Sequence, residues 1–204
     1  KQIAEGGFGF VYLARHTVSG EDFALKRMLV QDRESSKQAL AEVALMKSLQ
    51  HPNIVRLFAS SHGPRGGGGA GSEVLVVMEL AQLGTLARWV TPNEEGQMPP
   101  PIDEEAMLSN FLDVCKAVAY MHSRQPPLSH YDLKLENVLE TSRGTCKLCD
   151  FGSASTRTFD ARTADRRARL EEEDRISRFS TVRAAAALRP ARVAAAPTPS
   201  RSAV

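Results

Sequence analysis

The sequence predicts an α+β protein of two lobes, the first rich in strands and the second helical. Short apolar runs separated by glycine and proline dominate the first 80 residues. A long amphipathic pattern then spans residues 107–121. This order suits a two-lobed α+β architecture better than a parallel βαβ sheet, in which strands and helices would alternate.

Four short apolar runs in the first part predict strands. They are Phe10–Ala14, Asp22–Leu29, Ile54–Phe58 and Val74–Leu80. The last is apolar enough for burial on both faces. Between the last two, Gly63 to Ser72 is rich in glycine, which occupies six of the ten positions. We expect a flexible insertion there, because the entropy cost of closing a loop grows slowly with its length.

Two helices are predicted from periodicity. Residues 34–50 suit the first, with Leu40, Val43 and Leu49 on one face and His51-Pro52 ending it. The second is marked by apolar residues at alternating spacings of four and three, which are Met107, Phe111, Val114, Val118 and Met121. Two short strand-like pieces follow at residues 138–139 and 146–149.

The composition, with 42% hydrophobic and 25% charged residues, fits a soluble globular protein. No apolar stretch approaches the roughly 18 residues that span a bilayer. Because residue 1 is lysine, we expect the numbering to begin inside a longer chain.

Three cysteines cannot complete a disulfide framework and suit a reducing, cytoplasmic location. Cys146-x-x-Cys149 lacks the second ligand pair of a zinc site.

The net charge of +2 is unevenly distributed. Six arginines and no acidic residue follow Asp174, so the preceding part carries a net charge of −4. Such an acidic body lacks the basic footprint of a nucleic-acid-binding protein. The basic tail could contact RNA or lie peripherally on an anionic membrane, or it could be solvated and disordered.

A glycine-rich segment, Ala4-Glu5-Gly6-Gly7-Phe8-Gly9-Phe10-Val11, opens the chain. Glycines let a hairpin backbone approach phosphates, to which its N–H groups can donate. The Gly-Lys-Ser/Thr end of a Walker A loop is absent, and the segment continues as a strand, whereas a dinucleotide fingerprint leads into a helix. Taken alone, it fits an ordinary hairpin equally well.

Lys26 lies between apolar neighbours in the second predicted strand. A lysine can hold phosphates as a point charge, but its burial requires a carboxylate partner. Glu42, midway along the first predicted helix, is the candidate. An exposed strand lysine is the alternative.

The most specific pattern is His130-Tyr131-Asp132-Leu133-Lys134-Leu135-Glu136-Asn137, followed by Cys149-Asp150-Phe151-Gly152. Asp132 and Asn137 have the D-x-x-x-x-N spacing of a kinase catalytic loop, and Asp-Phe-Gly follows at the expected distance. Phosphoryl transfer needs a carboxylate for the incoming hydroxyl, hard oxygen ligands for Mg²⁺ and a cation for the γ-phosphate. These matches, in this order, predict a phosphoryl-transfer enzyme.

On these residues the chain resembles eukaryotic protein kinases. Within them it is most similar to the Numb-associated kinase family, which includes the adaptor-associated and cyclin-G-associated kinases. The shared features are Ala4–Phe8, Ala24–Met28, Met78 as the gatekeeper, Leu133–Asn137 and Leu148–Ala154. The resemblance implies a small antiparallel β lobe and a helical lobe, with ATP bound between them.

The resemblance also implies the roles of individual residues. The set expected to contact ATP is Ala4, Gly6, Gly7, Phe8, Gly9, Val11, Ala24, Lys26, Met78, Glu79, Ala81, Leu139 and Asp150. Within this set, Lys26 would contact the α- and β-phosphates while paired with Glu42, and residues 79–81 would form the hinge that bonds the adenine edge.

The catalytic roles follow from the same resemblance. Asp132 would be the base, Lys134 would contact the γ-phosphate and mark a preference for Ser/Thr, and Asn137 and Asp150 would hold Mg²⁺. The implied activity is a serine/threonine protein kinase that uses Mg-ATP. Family membership suggests protein substrates such as clathrin-adaptor subunits.

Three regions are expected along the chain. Residues 1–80 would form the N-lobe, and residues 81–158 would form part of the C-lobe, with the hinge, a short helix, the long helix, the catalytic loop and Asp-Phe-Gly. Residues 159–204 would be an incomplete activation segment and a disordered tail rich in Ala, Arg and Pro.

The sequence departs from the family in two places. Tyr131 replaces the arginine that many kinases pair with a phosphate on the activation segment, so we expect activity without that phosphate. Beyond Gly152 the Ala-Pro-Glu motif and the following helical core are missing, and Ala184–Ala187 stands in their place. We therefore expect a truncated C-lobe, and an inactive ATP-binding or scaffold fragment is the alternative function.

Two further residues have open roles. His130 is expected to support the catalytic loop. Cys149, beside Asp150, could be a reactive thiol or an inert one.

Overall fold

The computed structural model of the chain describes residues 1–6, 9–66, 71–93 and 95–157. It confirms the predicted α+β class, since an antiparallel five-stranded sheet is followed by a part built on one long helix and a small second sheet. Residues 159–204, predicted as an activation segment and tail, lie outside the described residues. Within the described ranges, no helix is long and apolar enough to cross a membrane.

The first sheet has the strand order β1-β2-β3-β5-β4, with antiparallel pairing throughout. Its strands are β1 (Gln2–Gly6), β2 (Gly9–Arg15), β3 (Asp22–Val30), β4 (Leu57–Pro64) and β5 (Ser72–Met78). The second sheet has the order β6-β7-β8. Its strands are β6 (Gly84–Thr85), β7 (Val138–Glu140) and β8 (Cys146–Leu148).

The helices are α1 (Arg33–Ser48) and α2 (Glu104–His122). Two short 3₁₀ helices, Leu86–Trp89 and Leu135–Asn137, complete the regular structure of the described residues. The 3₁₀ helix Leu86–Trp89 occupies the position after the hinge where a short helix was expected.

The strand predicted at residues 54–58 is wrong in position. β4 begins only at Leu57, and Ile54 makes an isolated bridge to Leu148 of β8. Ile54 and Val55 are 2% and 1% exposed, and the Val55 N–H donates to the Leu148 carbonyl over 2.9 Å. These residues therefore pair with the second sheet before the chain enters the first. At its far end β4 extends to Pro64, into the predicted glycine-rich insertion, of which residues 67–70 lie outside the described residues.

α1 begins with a capping box. The Asp32 side chain accepts the Ser35 N–H over 2.7 Å, and the Ser35 hydroxyl accepts the Asp32 N–H over 3.1 Å. The buried face has helical spacing and consists of Ala39, Glu42, Val43 and Met46. Leu40, which was predicted to share the face of Val43, is 41% exposed, because the sheet contacts a different stripe of the helix.

α2 is buried mainly along its second half. Its buried residues are Asn110, Asp113, Ala117 and Met121. The apolar pattern predicted the helix correctly, yet Met107 and Phe111 are 49% and 66% exposed. The reason is that no described element covers that side of the first turns of α2.

Two apolar clusters hold the described residues together. One joins the sheet to α1 and contains Met28, Val30, Ala39, Val43, Val74 and Val76. The other joins α1 to the second part through Met46, Met121, Leu148 and Phe151. Leu57 and Met78 pack against both clusters. The two clusters are therefore continuous, and they join the first sheet, α1 and the second part of the molecule.

Candidate active site

One face of the first sheet carries four of the predicted nucleotide-binding residues. Val11 pairs with Lys26, and Ala24 pairs with Met78. Paired residues point to the same side of a sheet, as do residues two apart in a strand. Val11, Ala24, Lys26 and Met78 therefore share a face. Met28 continues that face and packs against α1, which brings the helix beside Lys26.

Lys26 meets two carboxylates in the cleft. Its Nζ lies 2.7 Å from Oε1 of Glu42 and 3.5 Å from Oδ1 of Asp150. The side chains of Lys26 and Glu42 are 12% and 5% exposed, whereas that of Asp150 is 35% exposed. The sequence alternative of an exposed strand lysine is therefore wrong for Lys26.

The charge of this lysine is stabilised by its partners. Burial alone would lower the pKa of Lys26, but the charges of Glu42 and Asp150 outweigh burial and raise that pKa above its ordinary value. Lys26 is thus held as a cation between Glu42 and Asp150. Asp150 is the more exposed of its two carboxylate partners.

The catalytic-loop residues form a second cluster around Asp132. Lys134 Nζ lies 2.8 Å from Oδ2 of Asp132, and Asn137 Nδ2 donates to the same oxygen over 2.9 Å. Asn137 Nδ2 also donates to the Asp132 carbonyl over 2.9 Å. Both bonds of Asn137 use the amide nitrogen, so they do not engage the amide oxygen, which is the atom that binds cations.

The two clusters are joined by backbone contacts. The Cys149 N–H donates to the Asn137 carbonyl over 3.0 Å, and Asp150 follows Cys149 directly. Asn137 and Asp150 therefore lie on adjoining segments and offer an amide oxygen and a carboxylate. Both are hard oxygen donors of the kind that Mg²⁺ prefers. No cluster of three or more His, Cys, Asp or Glu side chains suited to a metal occurs within the described part of the chain.

His130 connects the catalytic loop to the Asp150 segment. Its Nδ1 accepts the Asp132 N–H over 3.3 Å, so its Nε2 carries the proton and donates to the Cys149 carbonyl over 3.1 Å. The ring is 3% exposed and lies edge-on to Phe151, with the ring centres 5.3 Å apart. Burial lowers the pKa of His130, which favours the neutral ring that this bonding needs.

Two residues of the site have left-handed backbone conformations. Tyr131 has φ of 62° and Asp150 has φ of 60°. Positive φ is uncommon outside glycine and is costly for a bulky residue such as tyrosine. They are the two described non-glycine residues with this conformation, and both adjoin predicted catalytic groups.

Position 9 can accommodate only glycine, for a steric reason. Its φ is 138°, and a Cβ at this position would lie 2.0 Å from the Arg27 carbonyl oxygen. Gly9 is paired with Gly6 at the end of the hairpin where β1 connects to β2, and Ala4 pairs with Val11. The predicted contacts Gly7 and Phe8 lie outside the described residues.

The hinge residues, 79–81, follow β5 directly. The Glu79 N–H donates to the Arg56 carbonyl over 2.9 Å, so of its two backbone groups only the carbonyl could meet a ligand. The N–H of Ala81 has no backbone partner among the described residues. Leu139, on β7, is half-buried and pairs with Thr85.

The thiols beside the site are unreactive in character. Burial, followed by the charge of Asp150, raises the pKa of Cys149 to about 12, and its Sγ donates to the Asn137 carbonyl over 3.4 Å. Burial also raises the pKa of Cys146 to about 12. Of the two readings of Cys149, the inert thiol is the one that the structure supports.

Sequence reasoning missed several contacts that join the turn after α1 and the hinge to α2 and β8. Asn53 Nδ2 donates to the Cys146 carbonyl over 3.0 Å, and Tyr120 stacks on His51 with ring centres 5.0 Å apart. Lys147 pairs with Glu79 across 3.1 Å. A lone charge between Cys146 and Leu148, in an apolar strand, was the signal that could have identified Lys147.

Comparison with known proteins matches residues 1–167 to the protein kinase domain model. A probable serine/threonine-protein kinase of Dictyostelium discoideum is 39% identical over 89% of this chain and 22% of its own length. The Caenorhabditis elegans serine/threonine-protein kinase sel-5 is 39% identical over 76% of this chain and 14% of its own length. The actin-regulating kinase PRK1 of Saccharomyces cerevisiae is 34% identical over 76% of this chain and 19% of its own length.

The chain thus spans about a fifth of the length of the curated relatives it matches. The family model covers well over half of this chain and includes every described cleft residue. On this match, and with the geometry above, the chain belongs to the protein kinase domain family.

Proposed function

We propose that this chain acts as a serine/threonine protein kinase, transferring the γ-phosphate of Mg-ATP to a protein hydroxyl. The observation that carries the proposal is the meeting of Lys26, Glu42 and Asp150 within 3.5 Å, next to the Asp132–Asn137 cluster. This arrangement provides a cation for phosphates, oxygen ligands for a divalent metal and a carboxylate for the incoming hydroxyl.

The nucleotide would lie between the sheet face and β7. Val11, Ala24 and Leu139 would enclose adenine, and the Glu79 carbonyl and Ala81 N–H would bond its edge. Lys26 would contact the α- and β-phosphates, since Glu42 and Asp150 keep it charged. The glycine-rich segment that includes Gly6 and Gly9 would cover the phosphates.

Asp132 would position the substrate hydroxyl and take its proton. The hydroxyl oxygen then bonds to the γ-phosphorus while the bond from that phosphorus to ADP breaks. Lys134, now 2.8 Å from Asp132, is placed to offset charge on the transferred phosphoryl group. Asn137 and Asp150 would hold Mg²⁺, which neutralises phosphate charge when it is bound.

A narrower placement in the Numb-associated kinase family is also part of this proposal. It rests on Ala4–Phe8, Met78 and Leu148–Ala154. Clathrin-adaptor subunits would then be candidate substrates, and a cytoplasmic location would follow. We assign residues 1–80 to the N-lobe and residues 81–158 to the C-lobe, with residues 159–204 as activation segment and tail.

The test compares nucleotide binding and turnover in the same preparations. Saturating Mg-ATP should raise the melting temperature of the wild-type chain, and Lys26→Met and Asp150→Ala should abolish the rise. Asp132→Asn should keep the rise but lower turnover of Ser/Thr peptides by about 10²- to 10⁴-fold, because it removes only the base. Arg15→Met is the matched control, since it breaks an ion pair whose arginine is 69% exposed on the β2–β3 hairpin.

Three outcomes can be told apart. A melting temperature that Mg-ATP leaves unchanged contradicts the proposal at the binding step. Binding without measurable phosphate transfer in the wild type supports the alternative of an inactive ATP-binding fragment. Transfer to tyrosine peptides in preference to Ser/Thr peptides contradicts the assigned specificity.

A further inference from the structure

Lys147 is a charged residue inside an otherwise apolar strand, and no role described above uses it. Its neighbours in β8, Cys146 and Leu148, are 1% and 0% exposed. The Lys147 side chain itself is only 13% exposed. A lysine covered to this extent loses hydration, which only close polar partners can replace.

The ammonium group of Lys147 has two such partners. Its Nζ donates to the Pro52 carbonyl over 2.6 Å and lies 3.1 Å from Oε1 of Glu79. Glu79 holds a further bond, because its Oε2 accepts the Arg56 N–H over 3.3 Å. One ammonium therefore ties together β8, the turn after α1 and the hinge segment that leaves β5.

These contacts adjoin the proposed nucleotide site. Lys147 is paired with Leu139, and paired side chains emerge on the same face of a sheet. Leu139 is the residue proposed to lie under adenine. Asp150, a proposed metal ligand, follows Lys147 by three residues along the chain. Glu79 contacts Lys147 through its side chain, while its backbone carbonyl is the proposed acceptor of the adenine edge.

We propose that Lys147 is a positioning residue that fixes the hinge, Glu79–Ala81, against β8 and so sets the affinity for the adenine end of the nucleotide. This inference rests on the proposed function for its consequence in nucleotide binding. The geometric part, that the hinge is held by the Lys147–Glu79 pair, rests on the contacts alone.

The chain offers a matched control for this pair. Lys116 also pairs with a carboxylate, Oδ1 of Asp113 at 3.2 Å, but its side chain is 52% exposed and it lies on α2, outside the hinge. Lys116→Met and Lys147→Met therefore remove the same charge and keep the same aliphatic stem. Only the second variant should affect the hinge.

The experiment measures two ligands by calorimetry, adenosine and magnesium tripolyphosphate. Adenosine reports the hinge, whereas tripolyphosphate reports Lys26 and Asp150. We expect Lys147→Met and Glu79→Gln each to weaken adenosine binding by about three- to tenfold, and to change tripolyphosphate binding by less than about twofold. The double variant should lose no more adenosine affinity than the single variant with the larger loss, because the two side chains act as one unit.

The conservative variant provides a rescue. Lys147→Arg keeps a charged donor and should recover most of the adenosine affinity. Equal losses for both ligands in Lys147→Met would indicate a general structural role and overturn the proposal. An unchanged adenosine affinity, or an equal loss in Lys116→Met, would overturn it as well.

Hydrogen exchange separates this inference from the proposed function. Without nucleotide, the amide of residue 79, which donates to the Arg56 carbonyl over 2.9 Å in the wild type, should exchange faster in Lys147→Met and Glu79→Gln than in wild type or Lys116→Met. If the wild-type chain binds neither ligand, the proposed function fails, and the exchange rates still decide whether the pair holds the hinge. Equal exchange in all variants overturns the inference. If Lys147→Met does not fold, Glu79→Gln carries the same comparison.

Discussion

His130 shows how a single buried side chain couples two segments that carry proposed catalytic residues. It accepts a hydrogen bond from the Asp132 backbone and donates one to the Cys149 carbonyl, so it must be neutral and in one tautomer. Protonation would turn the acceptor Nδ1 into a donor and place a charge in an apolar pocket beside Phe151. The link between the catalytic loop and the Asp150 segment is therefore sensitive to acid.

The stability of the chain should fall on mild acidification because of this histidine. Burial lowers the pKa of His130 in the folded state below its ordinary value of 6.5. Stability from such a group is fully present above that ordinary value, and it is lost as the pH falls through the lowered folded pKa. His130→Gln, which cannot titrate, should reduce the loss of melting temperature between about pH 7 and about pH 5.

A second histidine provides the comparison. Burial, followed by the charges of Lys116 and Lys147, also lowers the pKa of His51. The double variant His51→Gln/His130→Gln should therefore depend on pH less than either single variant. A wild-type slope retained in His130→Gln would contradict this account.

At the scale of elements, α1 is the part that connects stability to chemistry. Its capping box fixes the first turn, and Glu42 on its buried face forms an ion pair with Lys26. α2 has a similar N-cap, in which the Asp103 side chain accepts the Ala106 N–H over 2.9 Å, but it carries none of the proposed catalytic side chains. The two helices therefore allow the effect of capping to be separated from the effect on the cleft.

Removing each N-cap should have equal effects on stability and unequal effects on turnover. Asp32→Ala and Asp103→Ala should each lower the free energy of unfolding by about 1 kcal/mol, measured with urea. Only Asp32→Ala should lower turnover in addition, because fraying of α1 loosens the Lys26–Glu42 pair. Equal losses of turnover in the two variants would show that α1 has no special connection to the cleft.

At the scale of the whole molecule, the described residues leave an apolar stripe uncovered on α2. Met107, Leu108, Phe111 and Leu112 lie on adjacent turns and are between 49% and 66% exposed. The Nδ2 atom of Asn110, in the same turns, is buried and has no hydrogen-bond partner among the described residues. Contiguous exposed apolar surface of this kind promotes association in water.

This stripe should make the chain self-associate as its concentration rises. Phe111→Gln/Leu112→Gln should shift the average mass in sedimentation velocity toward the monomer, with little change in the free energy of unfolding, because both side chains are already exposed. Val18→Gln is the control, since Val18 is 88% exposed but isolated on the β2–β3 turn. The prediction fails if both proteins associate to the same degree as wild type.

The sequence by itself determined the family, the candidate catalytic residues and the order of the elements. Asp132, Asn137 and Asp150 were identified because their types and spacings are local properties of the chain, and β2, β3, α1 and α2 followed from local periodicity. Local patterns do not specify which faces meet. Leu40 and Phe111 belong to apolar patterns in the sequence, and yet both are exposed.

Tertiary structure decided the partners. Lys26 and Asp150 are 124 residues apart along the chain, and Lys147 reaches Glu79 and Pro52 from a different sheet. Such contacts depend on how β3, α1 and β8 pack together, and that packing minimises exposed apolar area and unpaired buried charge over the whole molecule. For this reason the type of Lys147 was visible in the sequence, while its place behind the hinge was not.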